Sequence, residues 1–228
     1  MKLVLSSEHG GNKVPENYQY LFALDKEVLE THRAIDLGSL DLYNSLLNLV
    51  DFSHKNEICR LIIEVNRSLR SESLFSKYSK ELPLAEKKKL ENNIYKPYRQ
   101  TVLEGINKLI LEGEAVFHLS VHTFTPILKN EVRTADIAFL FDPAREIEKT
   151  LCIRLKANLN RLDPNLRVRF NYPYAGIADG FTTTLRKEFK QNYAGIELEV
   201  NQGFTINNKM SQHIKNILTI AISNALKT

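Results

Sequence analysis

Cysteine is scarce in this 228-residue chain: Cys59 and Cys152 are the only two, and they form no CxxC pair. A reducing cytoplasm is therefore the expected location. Long hydrophobic runs are also missing. No apolar stretch reaches the length of a membrane span, and the first residues enter a short apolar run directly, with no secretory core ahead of it. Dense basic segments interleaved with aromatics are absent, which argues against a nucleic-acid partner. There is no GxSxG, and Ser7, two residues from His9 on one turn, lacks the strained elbow that a serine nucleophile needs. Neither an internal repeat nor a linker is present.

The composition is that of an ordinary globular protein, with 43% apolar and 25% charged residues and a mild net charge of +4. The length predicts one domain spanning residues 1–228 with a sizeable core. The charge suits a small anionic partner.

The chain opens on Lys2-Leu3-Val4-Leu5-Ser6, a strand that breaks into Ser7-Glu8-His9-Gly10-Gly11-Asn12. A histidine followed by two glycines puts a metal ligand or a base where backbone can crowd close to a small ligand. Leu37, Leu40, Tyr43, Leu46, Leu47 and Val50 follow helical spacing from about Asp36. Ile58 to Val65 is short and β-branched and predicts a buried strand ending at Asn66-Arg67-Ser68. Residues 70–82 read as a surface loop. Leu84 to Glu112 has the period of a helix that Pro97 should split or kink and Gly113 should end, with Lys87-Lys88-Lys89 as a solvated face.

Ala115 to Val121 predicts a strand delivering His122, and Ala135 to Phe141 another. A helix through Ile147, Leu151, Leu155 and Leu159 leads to a strand at Leu166 to Phe170. Residues 171–176 form a loop and Thr183 to Phe189 a short helix. Ala194 to Val200 is the last strand, and a helix from about Met210 to Leu226 closes the chain. This alternation predicts a three-layer αβα domain on a mixed, mostly parallel central sheet.

In open α/β sheets, ligands bind outside the carboxyl ends of the strands. His9, Asn66 with Arg67, His122 and Glu199 all fall at such ends. Two imidazoles with a carboxylate suit zinc and leave a coordination position open for water. His32, His54 and His213 read as structural. His118 faces the same side as His122 but one layer deeper. Glu197 and Glu199 also share a face, so alternation does not choose between them, although Glu199 is nearer the strand end. A glutamate in an otherwise apolar central strand is costly unless it is paired or used.

Taken together, Ser-Glu-His-Gly-Gly-Asn at 7–12, His32-Arg33-Ala34-Ile35-Asp36 leading to Leu42-Tyr43, Glu64-Val65-Asn66-Arg67-Ser68, His122-Thr123-Phe124-Thr125-Pro126 and Glu197-Leu198-Glu199-Val200-Asn201 resemble the N-formylglutamate amidohydrolase family. More distantly they resemble the zinc carboxypeptidase and aspartoacylase-like hydrolases. The resemblance implies a phosphorylase/hydrolase-like fold, one Zn2+ per chain, and cleavage of the N-acyl amide of an acidic amino acid such as N-formyl-L-glutamate. Other N-acyl amino acids or peptide ends are the alternative substrates, and a non-catalytic carboxylate-binding relative is the alternative function.

By position, His9 and His122 would be metal ligands, with Asp36 as the third and Asn12 in reserve. Glu199 would be the general base and acid, and Arg60 the carbonyl-polarising arginine. Asn66 and Arg67 would hold a substrate carboxylate, and Arg133 or Arg186 a second one. Glu64 departs from the family, which has an aspartate ahead of the Asn-Arg pair.

Overall fold

The computed structural model describes residues 1–227. Six strands form the central sheet: β1 (Lys2–Ser7), β2 (Phe52–Lys55), β3 (Val116–Phe124), β4 (Ile137–Leu140), β5 (Val168–Phe170) and β6 (Tyr193–Asn201). Their spatial order is β2-β1-β3-β6-β4-β5. The first four of these run parallel, β4 is antiparallel to β6, and β5 is parallel to β4. The sheet is therefore mixed and mostly parallel, as the alternation of elements predicts. Two short two-stranded hairpins lie outside it.

Helices cover both faces. On one side α1 (Ser39–Ser45), α4 (Glu146–Leu162) and α6 (Gln212–Leu226) pack on Leu3, Leu5, Phe117, Leu119, Val121, Ile196, Leu198 and Val200. On the other side α2 (Leu84–Leu90), α3 (Lys96–Leu111) and α5 (Phe181–Glu188) bury Val4, Val116 and Tyr193. Strand alternation sends odd and even positions to opposite faces. On β3 and β6, the face under α3 and α5 therefore also carries His118, Ser120, His122, Glu197 and Glu199. One face of the central strands is apolar except for Ser7 and Thr123 at the carboxyl ends, and the other is apolar only away from those ends.

The run from Ile58 to Val65 is not a strand. Cys59, Ile62, Ile63 and Val65 are fully buried, but in successive turns closed by the Ile62 N–H to Cys59 carbonyl bond (3.0 Å) and the Arg67 N–H to Glu64 carbonyl bond (3.2 Å). The place beside β1 that such a strand would take belongs to the polar segment Phe52–Lys55. A short apolar run reports burial and not conformation.

Pro97 does not split the long helix. A wider turn at Glu91–Tyr95 sits immediately before it, and the helix continues to Leu111. Gly113, with φ of +85°, ends it by donating to Ile110 while Glu114 donates to Leu109, the paired bonds of a left-handed helix stop. Strand β3 runs on to Phe124, so His122 lies within it and not beyond it.

Candidate active site

Strand β1 ends at Ser7, and the chain turns through His9, whose carbonyl accepts the Asp36 N–H (3.1 Å). That bond brings the segment ahead of α1 against the end of the sheet, so Asp36 reaches both histidines. Its Oδ2 lies 3.3 Å from His9 Nδ1 and 3.0 Å from His122 Nδ1. Candidate ligand atoms of His9, Asp36 and His122 all fall within 4.8 Å of one another, and the three residues are buried.

Each imidazole is fixed from behind by a different carboxylate. His9 Nε2 lies 2.6 Å from Glu64 Oε1, and His122 Nε2 lies 3.0 Å from Glu8 Oε2. With Nε2 of each ring engaged, Nδ1 is the nitrogen turned toward Asp36, an arrangement typical of metal-binding histidines. Burial works against charge on His122, but its bonds with Asp36 and Glu8 outweigh burial and hold the ring protonated well above its usual range. A metal held by His9, Asp36 and His122 would displace a proton from this cluster. Two imidazoles and one carboxylate oxygen fit zinc.

Glu8 has no exposed surface and receives the hydroxyls of Ser6 (2.7 Å), Tyr98 (2.8 Å) and Ser120. Burial would push its carboxyl up, yet the bonds from His122, Ser120 and Ser6 hold it well below the usual carboxylate range. Burial is similarly overcome at Asp36 by His9, His122 and Arg60, and at Glu64 by Arg60 and His9. His118 lies deeper, between Ser6 and Tyr193 (2.8 Å each), and burial lowers it to about 4, so it is a neutral core residue.

Glu199 differs from these carboxylates. It is 5% exposed, its Oε2 is buried without a hydrogen-bond partner, and burial pushes its pKa up to about 8. A buried carboxyl oxygen left unpaired is costly and is characteristic of a group kept for chemistry. It lines a cavity of about 180 Å³ together with His9, Asp36, His122, Arg60 and Arg67.

Arg60 bridges two carboxylates, donating to Asp36 Oδ1 (3.2 Å) and Glu64 Oε2 (2.6 Å), and stays firmly protonated. Those bonds use three of its five N–H groups. Asn66 and Arg67 also line the cavity. The Asn66 side-chain oxygen accepts the Phe181 N–H (2.8 Å), which leaves its NH2 as the free end. The Arg67 carbonyl is held by Tyr95 (2.7 Å) and Arg99 (3.2 Å).

The structure places three of the residues named from the sequence, Asn12, Arg133 and Arg186, away from the lining of this cavity. Asn12 donates to Leu29 and Glu30 (2.9 and 3.0 Å) and does not reach the histidines, so Asp36 and not Asn12 stands with them. Arg133 does not line the cavity; its guanidinium packs over Phe124 and Tyr174 and donates to the Tyr174 hydroxyl (3.1 Å). Arg186 is buried against Glu148 and donates to the carbonyls of Gly176 and Gly195. The glycine pair serves the fold and not a ligand: a Cβ on Gly11 would stand 2.4 Å from the Glu57 carbonyl oxygen.

Sequence reasoning did not single out Glu8, nor Tyr174 and Asp179 of the loop before α5, which line the cavity. The only available signal for Glu8 was a carboxylate placed directly before the strand-end histidine. His32 and His213 are exposed, His54 stacks on Tyr98, and none of the three lines the cavity.

Among solved structures, a gene product of Agrobacterium tumefaciens is 24% identical, with a TM-score of 0.84 over 99% of this chain and 90% of that one. An N-formylglutamate amidohydrolase from Ralstonia eutropha is 16% identical, with a TM-score of 0.74 over 100% and 93%. At these identities the likeness is one of fold. No curated protein sequence matches. The N-formylglutamate amidohydrolase family model matches residues 1–205, a span that takes in both histidines, Asp36 and Glu199, and the chain belongs to that family.

Proposed function

We propose that this protein is a zinc-dependent amidohydrolase that cleaves the acyl amide of an N-acyl amino acid. The observation that carries the reading is the convergence of His9, Asp36 and His122 on one point beside the unpartnered oxygen of Glu199. Zinc held by those three residues would supply Lewis acidity to the acyl carbonyl and the attacking water.

Arg67 grips the α-carboxylate, and the Asn66 NH2 adds a donor, which sets the amide relative to Glu199. Glu199 takes a proton from water as the water oxygen bonds to the acyl carbon, then gives it to the amine nitrogen as the C–N bond breaks. The spare N–H groups of Arg60 face the growing charge on the acyl oxygen, and its clamp by Asp36 and Glu64 keeps them in place without reorganisation. Glu8 and Glu64 hold the two imidazoles in one orientation.

Asn12, the reserve ligand, lies outside the site, and the carboxylate next to the histidines is present as Asp36. The test is to measure bound metal and then assay N-formyl-L-glutamate and a panel of N-formyl and N-acetyl amino acids with and without chelator. Chelator-sensitive hydrolysis is the expected result. Stoichiometric zinc without hydrolysis of any member overturns the catalytic reading.

A further inference from the structure

Charge is distributed unevenly around the cavity. Of its two arginines, Arg60 is committed to Asp36 and Glu64, whereas Arg67 makes no ion pair among the described residues and donates only to the Asn66 carbonyl (3.2 Å). Two further carboxylates line the same cavity and also lack a cation. Glu197 accepts the Thr182 hydroxyl at Oε1 (2.6 Å) and has no cationic partner within ion-pair distance among the described residues. Asp179 accepts the Ser68 N–H and hydroxyl (3.2 Å each) and has none either.

These two carboxylates belong to one corner. Gly180, which follows Asp179, lies so close to β6 that a Cβ on it would stand 3.2 Å from Glu197 Oε1. The arginines named in the sequence for a second substrate carboxylate are engaged elsewhere, Arg133 with Tyr174 and Arg186 with Glu148. With Arg67 taken by the α-carboxylate and Arg60 by Asp36 and Glu64, an anionic side chain entering the cavity would meet Glu197 and Asp179 with neither arginine of the cavity left to offset them, and like charges in such a cleft are costly.

We propose that the substrate carries, besides the carboxylate bound by Arg67, a cationic group that Glu197 and Asp179 bind. The amino acid released is then lysine-, ornithine- or arginine-like and not glutamate-like. The inference rests on the amidohydrolase reading only for the placement of the α-carboxylate and the amide.

Binding can be separated from turnover in the zinc-loaded Glu199→Gln protein, titrated calorimetrically with Nα-formyl-L-lysine, N-formyl-L-glutamine and N-formyl-L-glutamate. Affinity should fall in that order, with about a tenfold or greater gap between lysine and glutamate. A Glu197→Gln/Asp179→Asn pair added to it should shrink the gap to about twofold. Equal or tighter binding of the glutamate compound, or no binding of any of the three, overturns the inference. The wild-type enzyme assayed on the same compounds tests the other reading separately: the binding order without any hydrolysis removes the amidohydrolase activity and leaves the charge preference standing.

Discussion

His122 and Glu199 are Cα partners across the parallel pair β3–β6. Partners in register lie one strand spacing apart, about 4.8 Å, and send their side chains to the same face. The candidate base is thereby fixed beside a candidate ligand by sheet hydrogen bonds and not by a loop. Ser120 and Glu197 are partners one step further back along the same strands. The sheet thus supplies two ranks, with His122 and Glu199 in front.

Metal binding should depend on Asp36 more than on any loop residue. Purified protein should contain about one zinc per chain, and Asp36→Ala should lose it while Asn12→Ala retains it. Metal analysis after dialysis checks this, and zinc retained by Asp36→Ala would show that the ion sits elsewhere.

The carboxylates behind the histidines should tune affinity without being ligands. Glu64→Gln and Glu8→Gln are each expected to weaken zinc binding by about 10- to 100-fold. Competition with a chromogenic chelator measures this directly, in the absence of substrate.

Glu199 gives stability a definite pH dependence. Its carboxyl is raised from the ordinary 4.5 to about 8 by burial, so the folded metal-free protein holds this proton more tightly than the unfolded chain does. The stability associated with Glu199 is greatest below the ordinary carboxylate pKa and falls as pH rises through about 8. Glu199→Gln, which cannot ionise, should therefore gain on the wild type between pH 5 and pH 8.5 in urea denaturation. A difference that stays flat over this range would show that Glu199 is not buried as a neutral acid. The same variant should keep its zinc and lose turnover.

Arg67 and Arg133 should separate cleanly. Arg67→Ala is expected to cost about 2 kcal/mol or more of substrate binding, a rise in KM of at least roughly 30-fold. Arg133→Ala, which removes contacts to Phe124, Thr125 and Tyr174 outside the cavity's charged centre, should leave KM within about threefold. Steady-state kinetics on one substrate for both variants settles the comparison.

Gly11→Ala should destabilise by about 1–3 kcal/mol, because its methyl group meets the Glu57 backbone, which cannot move aside as a side chain would. Gly10→Ala meets the Asn56 carbonyl oxygen and Ser7 Oγ at 3.2 Å and should cost less. Denaturant midpoints of the two variants give the order.

The sequence by itself determined the alternation of strands and helices, the mixed sheet, and the placement of His9, His122 and Glu199 toward strand ends. These follow from local periods of 2 and 3.6 residues, which a chain displays before it folds. It misread Ile58 to Val65, where an apolar run is buried as turns, and passed over β2, three of whose four residues are polar, at the sheet's edge. Only the tertiary structure decided that Asp36, and not Asn12, stands between the histidines, that Glu8 and Glu64 hold them, and that Glu197 and Asp179 are left without cations. The contacts of Asp36, Glu8 and Glu64 with the histidines join residues 27 to 114 positions apart, from His9–Asp36 to Glu8–His122. They depend on strand register and on which charges burial forces together, and no local period encodes either.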